Sequence, residues 1–191
     1  MNSSYLSSIY KQFEYYKMLG DKTFSQIPKE KLYWKPAEGL NSIADLVKHL
    51  HGNMLSRWTD FLNTDGEKEW RKRDEEFEAD FSNEDEMKKA WEDAWAVLFK
   101  AIGSLNYEDL ERIVYIRNQG HTVTEAINRQ LAHYSYHIGQ IVYLGILICG
   151  ENWKSLSIPK GNSKKYNEEK FAKSKSKTHF TDEFKMNSSE E

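Results

Sequence analysis

Two histidines stand four residues apart in an apolar stretch of the chain. The stretch is NRQLAHYSYHIGQIVYLG, residues 128–145, and it carries His133 and His137. Residues four apart on a helix lie on one face about one turn apart, so both imidazoles can reach one ion. Imidazole is a common ligand of zinc, nickel and related cations. The pair therefore predicts a metal site, and the simpler interpretation is two core histidines that hydrogen-bond to neighbours.

A metal site of this kind needs a third ligand, because catalytic zinc commonly takes three protein ligands and keeps a further position for water or substrate. His49 and His51 lie on the predicted second helix, whereas His121 precedes the last long helix and His179 lies near the C-terminus. At about 100° per residue, His51 is nearer the centre of the apolar stripe of its helix than His49. Periodicity alone therefore favours His51.

Four segments repeat apolar residues every three or four positions, the period of an amphipathic helix. They cover residues 4–25, residues 41–61 from a cap at Asn41 or Ser42, residues 82–103 from a cap at Ser82 or Asn83, and residues 122–148. Ser42 with Asp45, and Thr122 with Glu125, have the spacing of a capping box, which marks a helix start. The sequence therefore predicts an all-α protein, a four-helix bundle.

The segments between and after these helices differ in composition. Residues 63–81, NTDGEKEWRKRDEEFEADF, are dense in charge and predict a solvated loop outside any site. Residues 107–121 contain a β-branched patch and the turn signal NQG, and predict an extended linker or a small hairpin before the last helix. We predict a domain of residues 1–160 and a disordered charged tail of residues 161–191, rich in Lys, Ser and Glu.

Bulk composition argues against several functional classes. The chain has 30 % charged residues but a net charge of only −3. The protein therefore has no strong positive electrostatic field that would favour binding to nucleic acid or to an acidic membrane. The longest apolar run is too short to span a bilayer, and the first twenty residues do not resemble a secretion signal. Cys149 has no partner for an internal disulfide, which fits a reducing compartment. We expect a cytoplasmic protein.

Two segments carry a resemblance to a known family. NSIADLVKHLHGNMLSRWTDF and HTVTEAINRQLAHYSYHIGQIVYLG resemble the second and fourth helices of the DinB/YfiT-like superfamily, four-helix bundles described as metal-dependent proteins. The resemblance covers about residues 5–150. It implies that His49, within VKHL, is the first metal ligand and that His133 and His137 are the others. We follow it over periodicity, because a ligand at the edge of a stripe can face a cleft at the end of a bundle.

The polar residues near the pair are candidates for supporting roles. Tyr134 stands where the protease motif H-E-x-x-H has its glutamate base, so no carboxylate is built into the pair. Gln130, Gln140 and Asn53 lie about one turn from a predicted ligand and could hold a metal-bound water or orient a ligand. The alternative interpretation is that these three are ordinary polar side chains that face solvent. For Tyr134 the alternative is a structural side chain in the hydrophobic core.

The resemblance implies an enzyme with one divalent ion, zinc or nickel, in a site of three histidines. Some members of the superfamily are thiol-dependent transferases or isomerases, which implies a low-molecular-weight thiol and a small-molecule substrate. Alternatives are a metal-dependent hydrolase and a non-catalytic structural or stress-response bundle. We expect no nucleic-acid or membrane partner. A homodimer is compatible with the sequence.

Overall fold

The computed structural model describes the backbone of residues 4–186 and the side chains of residues 4–184. Within these residues the fold is mostly helical, with one small sheet. The helices are α1 Ser4–Phe24, α2 Ile43–Trp58, α3 Glu84–Gly103, α4 Val123–Cys149, α5 Ser163–Phe171 and α6 Asp182–Met186, and the strands are β1 Ile113–Ile116 and β2 Gln119–Thr122. The four predicted long helices are confirmed. No helix in this part of the chain has the length and apolarity needed to cross a membrane.

Capping boxes fix the starts of the two helices that matter for the site. At α2, the Ser42 hydroxyl accepts from the Asp45 amide at 3.1 Å, and the Asp45 carboxylate accepts from the Ser42 amide at 2.8 Å. At α4, Thr122 and Glu125 exchange the same two bonds. Each pair satisfies free amides in the first turn of its helix. Both starts agree with the sequence-based prediction.

The four long helices share one hydrophobic core. Each contributes one large buried ring to its centre. Phe13 of α1 lies 6.3 Å from Trp58 of α2, 6.5 Å from Trp95 of α3 and 6.0 Å from Tyr134 of α4, measured between ring centroids. These contacts tie every long helix to the others, which fixes α2 against α4, where the candidate ligands lie.

The segment before α4 contains a hairpin, as predicted. β1 pairs antiparallel with β2, from Ile113 opposite Thr122 to Ile116 opposite Gln119. Arg117 and Asn118 form the turn with φ of 57° and 59°. Positive φ at both central residues is typical of the type I′ turn, whose twist matches that of the strands. The turn thus begins one residue before NQG.

The segment after residue 160, for which the sequence predicts disorder, has local helical structure here. It forms α5 and α6 and returns to α1, where Lys11 pairs with Asp182 at 2.7 Å and the Tyr15 ring lies 5.9 Å from the Phe180 ring. The domain boundary at residue 160 and disorder of the tail in solution stay predictions.

The connector between α2 and α3, residues 59–83, folds back over α2. Its 3-10 helix, Arg73–Phe77, packs against α2. Glu76 is only 5 % exposed, and the Arg71 side chain is 2 % exposed. The prediction that this charge-dense segment is fully solvated is therefore wrong for these two residues. Both can be buried because Arg71 pairs with Glu76 and Glu76 also hydrogen-bonds to His49 of α2.

Candidate metal centre

Three histidine side chains from two helices converge at one point. His49 comes from α2, and His133 and His137 come from successive turns of α4. The Nε2 atom of His133 lies 3.3 Å from Nε2 of His49 and 3.1 Å from Nε2 of His137. The candidate ligand atoms of all three lie within 4.8 Å of one another. The sequence-based prediction that these histidines lie together is confirmed.

The spacing of these nitrogens suits a single cation. Imidazole nitrogens bind zinc at about 2.0–2.1 Å, so two nitrogens of a tetrahedral site lie about 3.3–3.4 Å apart. An octahedral ion with similar bond lengths brings neighbouring ligands to about 3.0 Å. The two separations that involve His133, 3.1 and 3.3 Å, fall in this range, and the nitrogens of His49 and His137 lie within 4.8 Å of each other. The group is thus positioned to bind a metal ion, and among the described residues it contains no fourth His, Cys, Asp or Glu.

The outer nitrogens of two of these rings are held by hydrogen-bond acceptors. Nδ1 of His49 lies 2.9 Å from Oε2 of Glu76, and Nδ1 of His137 lies 2.7 Å from Oε1 of Gln140. Burial acts to raise the pKa of Glu76, but hydrogen bonds from Arg71 and His49 outweigh it and lower the pKa. The ionised carboxylate can only accept, so His49 carries its proton on Nδ1. Its Nε2 lone pair then faces the cluster, as metal binding requires.

Burial also keeps two of the rings neutral. It lowers the pKa of His133 to about 3, with a further lowering from the charges of His137 and His49. It lowers the pKa of His137 to about 4, although the hydrogen bond to Gln140 acts in the opposite direction. Neutral imidazole is the form that coordinates a cation. At neutral pH these two rings are therefore ready to bind.

Glu76 is the member of this site that the sequence analysis missed. Nε of Arg71 donates to its Oε1 at 2.7 Å, and Nη2 of Arg71 donates to its Oε2 at 2.8 Å. A signal for this packing existed at Gly52, in the interior of α2 and three residues after His49. A Cβ at that position would lie 2.3 Å from Oε1 of Glu76. A glycine inside a helix often marks such a close approach.

His51 and His121 lie outside the group. Burial lowers the pKa of His51, and among the charges Asp93 and Lys89 on α3 affect this pKa most. His121 lies beside Arg129, with 3.3 Å between its Nε2 and an arginine Nη1. Periodicity favoured His51 over the histidine that joins the group because α2 contacts α3, α4 and the connector. A helix covered on several sides has no single buried stripe.

The three supporting candidates, Asn53, Gln130 and Gln140, have different surroundings. Asn53 is buried, and its Oδ1 accepts from the hydroxyl of Tyr134 at 3.0 Å. Tyr134 itself lies in the core, where its hydroxyl accepts from Nε1 of Trp58 at 3.0 Å. Gln130 is buried, and its Oε1 has no hydrogen-bond partner among the described residues. Gln140 orients His137. Any direct role of these residues in catalysis stays a prediction.

One protein family matches residues 1–162, which include every residue of the cluster. The chain belongs to this family, which is described as "Protein of unknown function (DUF1572)". The comparison with curated proteins gave no match. Family membership therefore assigns no activity, and the affiliation with the DinB/YfiT-like superfamily stays a prediction.

Proposed function

We propose that this protein is a metal-dependent enzyme in which His49, His133 and His137 hold one divalent cation, zinc or nickel. The observation that carries the proposal is the convergence of three Nε2 atoms from α2 and α4. Structural zinc sites use four protein ligands, whereas catalytic sites use three and keep a position for water or substrate. A group of three histidines therefore favours catalysis over a purely structural ion.

The surroundings of the cluster favour a substrate that ionises easily. A bound divalent cation lowers the pKa of a coordinated thiol or water. Among the residues that the structure describes, no free base lies beside it, because Glu76 is bound to Nδ1 of His49 and to Arg71. Tyr134 is buried, which raises its pKa and keeps it protonated. The pKa of a free thiol is about 8.5 and that of water is about 15.7. A thiol therefore needs a much smaller lowering of its pKa to ionise at neutral pH.

These arguments support a thiol-dependent S-transferase or isomerase of the DinB/YfiT-like superfamily. In a transfer, a low-molecular-weight thiol loses its proton, its sulfur bonds to an electrophilic carbon, and the leaving group departs with the bonding electrons. We also propose that the four long helices form the bundle of that superfamily, which the meeting of one ring from each helix supports. A hydrolase and a structural bundle are the alternatives.

Metal content tests the first part of the proposal. We expect the wild-type protein, purified without a histidine tag, to contain about one divalent ion, and His137→Ala to lose it. The helical circular dichroism should persist, because the four-helix core does not depend on this side chain. His51→Ala is the matched control and should retain the ion. Wild-type protein that takes up no divalent ion would refute the proposal.

Cobalt substitution tests whether the ion has open positions. Addition of a small thiol to the cobalt protein should produce a sulfur-to-cobalt charge-transfer band, because thiolate is a favoured ligand of such ions. Imidazole should also change the visible spectrum. A spectrum that no added ligand alters would indicate a closed coordination sphere, and the structural alternative would then replace the enzyme.

A further inference from the structure

We propose that Glu76 is the positioning residue of this centre, which fixes His49 as the Nδ1-protonated tautomer with its Nε2 directed at His133 and His137. The inference rests on the proposed metal site and adds a role for the connector. It makes the ligand geometry depend on a segment that contributes no ligand itself.

The contacts of His49 restrict its ring in two directions. The Phe77 ring stacks on it with 4.4 Å between centroids and an angle of 19° between the planes. The Glu76 carboxylate meets Nδ1 at 2.9 Å. Both contacts come from adjacent residues of the connector. Stacking limits tilt and the hydrogen bond limits rotation, so together they hold Nε2 in one place.

The carboxylate is itself held by a chain of ion pairs that runs from the buried Arg71 to the surface. Arg71, which binds both oxygens of Glu76, also donates to Glu67 at 3.2 Å. Glu67 in turn pairs with Arg57 of α2 and with Arg117 of the hairpin turn, each at 3.1 Å. A network with several partners loses little further side-chain freedom when the ligand binds. The connector is thereby fixed to both neighbouring elements.

Gly52 provides the space that this arrangement requires. An alanine Cβ there would lie 2.3 Å from Oε1 and 2.8 Å from Cδ of Glu76. Glycine inside a helix costs about 1 kcal/mol relative to alanine, so the position has a reason other than helix stability. At Gly139 of α4, by contrast, a Cβ would meet nothing within 4 Å. The two glycines thus form a matched pair for substitution.

Glu76→Gln tests the role of the carboxylate. The glutamine amide leaves one oxygen acceptor for three donors, which are Nε and Nη2 of Arg71 and Nδ1 of His49. A neutral, shared acceptor holds the proton on Nδ1 less strongly than the carboxylate does, so the Nε2–H tautomer of His49 should become populated. We expect zinc affinity to fall about 10–100-fold in competition with a chromogenic chelator, the usual effect of removing such a partner. Glu75→Gln, at the exposed neighbouring residue, should retain the wild-type affinity.

Gly52→Ala tests the same contact without a change of charge. We expect it to lower zinc affinity as Glu76→Gln does, because the added methyl displaces the carboxylate. Gly139→Ala should leave the affinity unchanged. If Glu76→Gln fails to fold, Gly52→Ala still tests the role of the Glu76 carboxylate.

The tautomer of His49 in metal-free protein separates this inference from the proposed function. Nitrogen-15 NMR should show Nδ1–H in the wild type and a population of Nε2–H in Glu76→Gln. An unchanged tautomer or an unchanged zinc affinity in Glu76→Gln would overturn the role of Glu76, even if the wild type binds zinc. A wild type that binds no metal would refute the proposed function, while the tautomer would still decide the role of Glu76.

Discussion

At the scale of single residues, the cluster makes the metal-free protein sensitive to acid. Burial lowers the pKa of His133 to about 3 and that of His137 to about 4, whereas both have ordinary values near 6.5 in an unfolded chain. Between about pH 6.5 and pH 4 the unfolded state therefore binds more protons than the folded state. The free energy of unfolding must rise with pH across this window. Acid thus weakens the fold through the residues that would bind the ion.

We predict that urea unfolding of metal-free protein gives a lower free energy at pH 5 than at pH 7. Other groups also titrate in this range, so the contribution of the cluster is read from a variant. His133→Gln should lose less free energy of unfolding between pH 7 and pH 5, because it lacks one histidine whose pKa is lowered in the folded state. If both proteins lose the same free energy of unfolding, the pKa of His133 is not lowered in the folded state.

The sequence was sufficient for some residues of the site and insufficient for others. His133 and His137 could be found from spacing, because a helix fixes which residues share a face. His49 was chosen over His51 only through a resemblance, since α2 is covered on several sides. Glu76 could not be found, because its contact with His49 spans 27 positions and an irregular connector. Periodicity carries no information about what packs over a helix.

At the scale of elements, Asp45 joins the start of α2 to the connector. One carboxylate oxygen completes the capping box with Ser42, and the other accepts from the amide of Ala79 at 2.9 Å. Glu125 has the same place in the capping box of α4, but it is exposed, and its carboxylate accepts from the amide and the hydroxyl of Thr122. The starts of both helices were predictable from the sequence, whereas the link to Ala79 was not.

We predict that Asp45→Ala destabilises the protein more than Glu125→Ala. Loss of a cap costs about 0.5–2 kcal/mol in either helix. Asp45→Ala also leaves the amide of Ala79 without its charged acceptor, which adds about 1–2 kcal/mol, and it removes the ion pair of Asp45 with the exposed Lys35 at 2.9 Å. Urea unfolding of the two variants at pH 7 measures the difference. If the two losses are the same, neither of these contacts contributes to stability.

At the scale of the whole molecule, the C-terminal segment and the metal centre occupy different parts of the fold. The family match ends at residue 162, beyond every residue of the cluster. The segment after it contacts α1 through Lys11, Tyr15 and Ser8, and Ser8 lies 2.9 Å from Nε2 of His179. None of these residues belongs to the cluster. Removal of the segment should therefore change stability without changing metal binding.

Deletion of residues 174–191 distinguishes docking from disorder. A disordered tail predicts an unchanged melting temperature, whereas loss of the contacts with Tyr15 and Lys11 should cost about 2 kcal/mol and lower it by about 4–8 °C. Zinc content should stay at the wild-type value. Tyr15→Ala should lower stability less in the truncated protein than in the full chain, because the Phe180 and Phe184 rings that contact it are absent. Equal effects of Tyr15→Ala in the two backgrounds, with no change in melting temperature on truncation, would show that the tail does not dock on α1.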